Sequence, residues 1–292
     1  MSIRTETFLH VTDEVEDLLK AHIPYSLPLL RRLQTSKYRQ AGASTSTESR
    51  TILVTGAHDD GRPQHQRFTA AYLDLSGGPE TQMWLYSTLE NAKLPPSHDD
   101  EAYYRKQLSE LVRAVTSLVR EYGSEAMHYP GGLLLGTLST PVRRLLEDMD
   151  RVRPRATGYY DKWLFRAEDL PPEGELAELP RGMRPLLASL PSEVIRLDNG
   201  TPVAWAFLGP DGSLISLHCE EPYRRRGLSK ALAAKLMRRG PGAYADDGWA
   251  SADVAGDNLA SRAMCKSLGG TRHWEVSWVL FDVTDDGVGD SG

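Results

Sequence analysis

The same order of hydrophobic patterns is written twice along this chain, and that constrains the fold more than any single motif. Over residues 51–166, and again over 193–283, three strand-like runs precede a helix, a strand, a second helix and a last strand. Short β-branched and aromatic runs bounded by turn residues read as strands, and apolar residues three and four apart read as helices. A chain that repeats such an order is held to two copies of one mixed α/β unit. The 292 residues leave room for both. The expected division is 1–170 for the first copy, 171–285 for the second and 286–292 for a flexible tail. The stretch 169–182 (DLPPEGELAELPRG), with three prolines and two glycines, supplies the junction.

In the first copy, residues 11–33 carry Leu18, Leu19, Leu27, Leu29 and Leu30 at helical positions, with Pro24 and Pro28 interrupting. A Ser/Thr/Gly-rich loop is expected over 40–50, a strand over 51–55 and a polar loop over 58–65. Strands at 68–75 and 82–88 flank the turn Ser76-Gly77-Gly78-Pro79. A loop over 91–100, a helix over 101–122, a strand over 132–138, a helix opened by Ser139-Thr140-Pro141 and a strand over 157–166 complete the copy. In the second copy, strands at 193–197 and 203–208 flank Asn199-Gly200, the strongest short hairpin signal. A strand over 214–220, a helix, a strand over 249–254, a helix over 258–268 and a strand over 274–283 follow.

One stretch of the second copy gathers most of the chemistry. Residues 214–229 read LISLHCEEPYRRRGLS: a buried strand, an acidic exit, and a basic turn that opens a helix with Leu232, Leu236 and Met237 on its apolar face. Glycine at a helix start lets backbone N–H groups come close to a ligand, and the first-turn N–H groups with the helix dipole favour an anion. Arg224, Arg225 and Arg226 place charge and forked donors in front of Gly227. Gly227, Leu228, Ser229 and Lys230 then form a seat for a diphosphate at a strand-to-helix junction. The first copy has Asn91-Ala92-Lys93-Leu94-Pro95-Pro96 there, without glycine or an arginine cluster, and is expected to be a degenerate copy that holds no diphosphate.

The run Tyr223-Arg224-Arg225-Arg226-Gly227-Leu228-Ser229 resembles the coenzyme A loop of the GNAT acyltransferase superfamily, Gln/Arg-x-x-Gly-x-Gly/Ala, with Ser229 at the second small position. Residues 257–269 resemble the Asn-x-x-Ala/Ser…Leu-Gly-Phe helix after the superfamily's fifth strand; Asn258, Ser261, Leu268 and Gly269 match, and Gly270 stands where Phe is usual. Gly200-Thr201-Pro202-Val203-Ala204-Trp205, with Pro222-Tyr223-Arg224 and Gly227-Leu228, is similar to the glycine N-acyltransferase group, which also carries a non-binding first half. The resemblance covers 179–283, and the first half by topology alone. It implies tandem GNAT-like α/β folds, each a mixed, mostly antiparallel sheet flanked by helices. It also implies acetyl-CoA or another acyl-CoA as co-substrate, no metal, and transfer of the acyl group to the amine of a small molecule. Asn258 and Ser261 stand where the superfamily contacts the coenzyme. The backbone of Leu217–Cys219 is expected to part from the next strand and offer amides to the thioester carbonyl and pantetheine arm.

Aminolysis of a thioester needs a neutral amine, a polarised carbonyl and a proton for the departing thiolate. An aliphatic amine of pKa near 10.4 costs about 4–5 kcal/mol to deprotonate at neutral pH, so a base is useful. Glu220 and Glu221 sit at the end of the central strand, with His218 on the face of Glu220 by alternation. The family's glutamate stands directly before the tyrosine; here Pro222 holds that place, so the bases rank Glu220, His218, Glu221. Many superfamily members have a tyrosine acid seven residues after the motif Asn. Cys265 occupies that position, as an acid to the thiolate or as an inert core thiol.

A net charge of −6 argues against nucleic-acid partners, and no apolar run approaches the about 20 residues of a membrane helix. The acidic N-terminus resembles neither a secretory nor a transit signal, and two cysteines make no disulfide framework, so a cytoplasmic monomer or homodimer is expected. His58, Asp59, Asp60 and His65 lack metal-ligand spacing and read as a loop. Trp205, Trp249, Trp274 and Trp278 read as core or interface aromatics, with Trp274 and Trp278 on one strand face able to line an acceptor pocket. The rival functions are a protein or peptide N-acetyltransferase and a non-catalytic acyl-CoA-binding protein.

Overall fold

Alternation within the first strands already assigns two cores to the first half of the molecule. The computed structural model describes residues 2–40, 48–57, 63–91, 96–123, 127–153, 158–172, 175–176 and 191–284. The chain divides into two compact units, a first of residues 1–33, 40–158 and 277–292, and a second of 34–39 and 159–276.

The first unit holds β1 (Ile3–Phe8), α1 (Asp13–Lys20), most of α2 (Leu27–Gln40), β2 (Ser49–Ala57), β3 (Pro63–Asp74), β4 (Met83–Ser87), α3 (His98–Tyr122), β5 (Gly132–Ser139), α4 (Thr140–Glu147) and β6 (Val152–Arg153). The strands run in the order β1-β2-β3-β4-β5, antiparallel except for the β4–β5 pair, which is parallel at Met83↔Leu135 and Trp84↔Gly136. Leu53 faces the core under α1 and α2, with Val15, Leu19, Leu30 and Leu33. Its neighbours Ile52 and Val54 face the core under α3 and α4, with Leu108, Leu111 and Leu146. Each fully buried apolar side chain of this kind contributes about 1.5–3 kcal/mol, and Leu108→Ala would cost about 2–5 kcal/mol.

The second unit holds β7 (Tyr159–Arg166), β8 (Ser192–Arg196), β9 (Pro202–Leu208), β10 (Ser213–Cys219), α5 (Leu228–Arg239), β11 (Trp249–Ala255), α6 (Leu259–Ser267) and the start of β12 (Thr271–Asp282). Its order is β7-β11-β10-β9-β8, with β10 and β11 the parallel pair. Leu208, Leu214, Ala233, Leu236, Met237, Ala252 and Leu268 form its main core.

The tandem α/β organisation expected from the repeat is present, with one difference in how the copies are assembled. β7, the last strand of the first copy, pairs with β11 of the second along Tyr160–Arg166. The last strand of the second copy is divided: β12 belongs to the second unit through Val276 and to the first from Ser277, where Leu280 and Phe281 pair with Arg153 and Val152 of β6. The copies therefore trade strands, and the chain passes into the second unit at Tyr159, earlier than the expected 170.

Other differences are local. β1 was not expected. β2 begins at Ser49, inside the expected 40–50 loop, whose residues 41–47 lie outside the described ones, and α2 continues to Gln40. Of the 58–65 loop, residues 58–62 lie outside the described ones and β3 starts at Pro63. Residues 92–95, most of the 169–182 junction and 285–292 also lie outside the described residues. α3 starts at His98 because the Ser97 hydroxyl accepts from Asp100 N at 3.2 Å.

Candidate functional site

The site begins with a disturbance in β10. Leu214 and Ile215 pair with Leu208 and Phe207 of β9, but the register slips by one residue before His218↔Trp205 and Cys219↔Ala204. The inserted residue is accommodated at Ser216, whose φ is 50°. Such a bulge bends the strand. On its other edge β10 pairs with β11 only at Ser213 and Leu214, so the two parallel strands part and Ser216–Cys219 have no β11 partner. This is the parting expected for Leu217–Cys219. The bulge also sorts the side chains. Leu217 and Cys219 pack toward Ala204 and Leu232 beneath α5, while His218 and Glu220 face the opposite side.

Beyond Cys219 a short 3-10 turn, Glu221–Tyr223, leads to Arg224 in an extended conformation, then Arg225 at φ 60° and Gly227 at φ 76°, which caps α5. Left-handed backbone costs a non-glycine residue roughly 1–2 kcal/mol, which Gly227 avoids and Arg225 bears. Arg224 Nε donates to Cys219 O at 2.9 Å and ties the loop to the end of β10. Arg226 donates to Pro222 O at 3.1 Å and lies over the Tyr223 ring. Tyr223 and Leu228 pack on the small core beneath and anchor the loop. Among the described residues the Arg225 and Lys230 side chains have no hydrogen-bond or ion-pair partner.

The α5 N-terminus has no side-chain cap and no acidic residue in its first turn. The N–H groups of Leu228, Ser229 and Lys230 have no intrahelical acceptor. The start of α5 is thus electropositive and open to an anion.

Asn258 caps α6, its Oδ1 accepting from Ser261 N at 3.0 Å. The Asn-x-x-Ser spacing is thereby explained as a helix start. At Gly270, where the superfamily carries Phe, a Cβ would run into the Phe165 ring. An aromatic from β7 fills the space that the motif's own aromatic would take.

His218 and Glu220 come together, with Nε2 to Oε1 at 3.5 Å and side chains 40% and 47% exposed. The His218 ring is stacked on Trp205 at 4.5 Å between centroids and 23° between planes. Glu221 is exposed and its carbonyl accepts from Arg224 N; it serves the turn. Cys265 does not meet the expectation of an acid for the thiolate. It is 0% exposed within the core, and burial pushes its thiol up to about 12. That is a weaker acid than an ordinary thiol near 8.5.

The sequence reading missed a buried ion pair. Lys162 of β7 stands directly across from Asp253 of β11. Lys162 Nζ lies 2.7 and 2.8 Å from the two Asp253 oxygens, with side chains 0% and 8% exposed. Burial raises the Asp253 pKa and the Lys162 charge pulls it back. Asp253 is the first β11 residue past the last β10 partner, Ala252, and so stands where the strands part. Lys162 amid the charged and apolar residues of β7 and Asp253 in the otherwise uncharged β11 were the available signal, but only the pairing of β7 with β11 joins them.

Among the described residues no helix is long and apolar enough to cross a membrane. A family model described as the acyl-CoA N-acyltransferase verG N-terminal domain matches residues 2–163, and one described as FR47-like protein matches residues 194–279. Sequence comparison with curated proteins finds no match. Among solved structures, a Drosophila protein superposes with a TM-score of 0.57 at 16% identity, covering 97% of this chain and 99% of its own. A tandem GNAT protein from the clavulanic acid biosynthesis pathway gives 0.52 at 13% identity, covering 98% and 100%. A GCN5-related N-acetyltransferase from Sphaerobacter thermophilus gives 0.50 at 13%, covering 96% of each. At these identities the superpositions establish the fold.

Proposed function

This chain belongs to the verG acyl-CoA N-acyltransferase N-terminal family, with a GNAT-like second half, and from that premise we propose that it moves an acetyl or other acyl group from coenzyme A to the amine of a small molecule. The observation that carries the reading is the α5 N-terminus: uncapped, free of acids and fronted by arginines, beside strands that part after Leu214. There the first-turn N–H groups, Arg225 and Lys230 would hold the diphosphate. The arm and thioester would run into the parting between β10 and β11.

In a ternary complex the neutral amine nitrogen attacks the thioester carbon while the His218–Glu220 pair takes its proton. Amides along the unpaired edge of β10 stabilise the oxyanion. Collapse breaks the C–S bond, and the same pair returns the proton to the thiolate, so atoms and charge balance without Cys265. With the compartment and acceptor proposed as above, the protein would work in the cytoplasm on a soluble amine.

Titration with CoA and acetyl-CoA followed by free-thiol release with a panel of amines tests the reading. Association with CoA and amine-dependent release are expected, with Glu220→Gln and His218→Ala each lowering kcat by about 10²-fold or more. Absence of CoA association ends the proposal. Association without release for any amine leaves an acyl-CoA-binding protein instead, and unchanged turnover in both variants removes the pair as the base.

A further inference from the structure

We propose that His22 is a protonation latch of the first unit: as a neutral imidazole it fastens the turn after β4 to the corner between α1 and α2, and on gaining a proton it lets that turn go. The inference stands on the first unit alone and does not rest on the acyl-transfer reading.

Between α1 and α2 the chain turns through residues 21–26, and the half-buried His22 ring packs on β3 and β4. It meets the buried Phe68 ring edge-on, 5.2 Å between centroids and 78° between planes, and the buried Tyr86 ring at 6.0 Å. The turn that leaves β4, Thr88–Asn91, ends on Asn91. That residue opens the stretch standing where the second copy has its arginine loop. Asn91 joins the corner to the strand. The Tyr86 hydroxyl donates to Asn91 Oδ1 at 2.9 Å, which leaves the amide NH2 facing His22 Nδ1 at 2.7 Å. An amide NH2 donates and cannot accept, so Nδ1 must carry a lone pair, and the ring is neutral with its proton on Nε2.

A proton on Nδ1 would set N–H against N–H and end that bond. Among the described residues no carboxylate pairs with the ring, and burial holds its pKa below the ordinary histidine value. The titratable groups gathered there are Tyr86 on β4 and, around its phenol, Glu90 from the turn, Tyr104 from α3 and Tyr25 from the corner. Burial, then the Glu90 charge, push the Tyr86 phenol up, so it stays a donor to Asn91. Glu90 accepts from Ser87 N at 2.9 Å. Of these groups only a histidine ordinarily changes charge between about pH 5 and 8. Because the folded pKa of His22 is depressed, its contribution is complete above the unfolded value near 6.5. It is lost as pH falls from there through the lower folded value.

Amide hydrogen exchange of the full chain, corrected for intrinsic rates, reads the latch when Thr88–Asn91 is compared with β5 of the same unit between about pH 8 and 5. Toward acid, opening at 88–91 relative to β5 is expected to rise about five-fold, the loss of one hydrogen bond. His22→Gln, whose side-chain carbonyl can accept from Asn91 without titrating, should hold that ratio level. Asn91→Asp sets a carboxylate against the ring and should reverse the trend, with the turn held tighter on the acid side. This reversal keeps the test decisive if His22→Gln does not fold. Nitrogen NMR should place the proton of the neutral His22 ring on Nε2. A flat ratio in the wild type or a neutral ring protonated on Nδ1 overturns the proposal. So does an acid-side rise that survives His22→Gln, which would belong to Glu90, or an unreversed trend in Asn91→Asp.

Discussion

The two long helices that follow the central strands of the two copies begin in opposite ways. α3 opens with Ser97 as a side-chain cap and with Asp99, Asp100 and Glu101 in its first turn. Asp100 also pairs with Arg67 at 2.6 Å. Its dipole is satisfied by the protein's own carboxylates. α5 opens on a left-handed glycine with no cap and no acid, behind three arginines. The ends of the strands differ in the same sense. In the first unit, Ser87 at the end of β4 joins Thr69 at 3.2 Å, Thr69 joins Gln107 at 3.0 Å, and Thr88 meets Tyr104 at 3.0 Å, all buried. In the second, His218 and Glu220 at the end of β10 remain open to solvent. In the first unit these ends are closed by the protein's own side chains; in the second they are left open.

The largest expected effect tests the strand beside that opening. β5 of the first unit, GLLLGTLS, is buried throughout and has no charge, whereas β11 carries Asp253 against Lys162. Lys162→Met strands a buried carboxylate and should cost about 3–5 kcal/mol in chemical denaturation, most of it recovered in Lys162→Met/Asp253→Leu. A single variant as stable as the wild type would show that the pair is not sealed from water. Next, Gly227→Asp gives α5 the acid that α3 already has. Acyl-CoA affinity should fall by about 10²-fold or more, and unchanged affinity would mean that the contrast between the helix starts has no bearing on binding.

A smaller effect belongs to the first unit. Ser97→Ala removes the α3 cap and should lower stability by about 1 kcal/mol without changing acyl-CoA affinity. The Ser97 hydroxyl bond holds the Asp100 carboxyl below its ordinary range, and the Arg67 charge adds to this while desolvation opposes it. A depressed carboxyl stabilises the fold above its unfolded pKa near 3.9 and loses that contribution as pH falls through its lower folded value. An acid titration should therefore weaken the wild type through that window, and Asp100→Asn should flatten the curve there. The smallest effect is expected at Cys265: Cys265→Ala should leave kcat and its pH profile unchanged, and native protein should resist thiol labelling at that position. A fall in kcat at constant stability would return the thiol to the chemistry.

The second copy was the more legible because its signals are local. Gly227, the arginines before it and the Asn258-x-x-Ser261 spacing each act within a turn or two, and periodicity locates β9, β10, α5 and α6. What stayed hidden depends on pairing between distant strands. The Lys162–Asp253 pair needs β7 beside β11, which no spacing specifies. The Trp205–His218 stack needs a one-residue bulge, since an unbroken hairpin register sets Leu217 across from Trp205. Gly270 departs from the motif because the Phe165 ring, from a strand distant in sequence, lies where its Cβ would be.

The trade of strands has a consequence for how the molecule is made. Residues 277–282 complete the first unit, yet they are synthesised only after the rest of the second copy. A nascent chain halted near residue 170 would have an incomplete first unit with β7 still unmatched, so an early fold of the N-terminal half on the ribosome stays provisional until β12 has emerged. Severing the gene between its two copies would give two fragments, each lacking strand residues that the other carries.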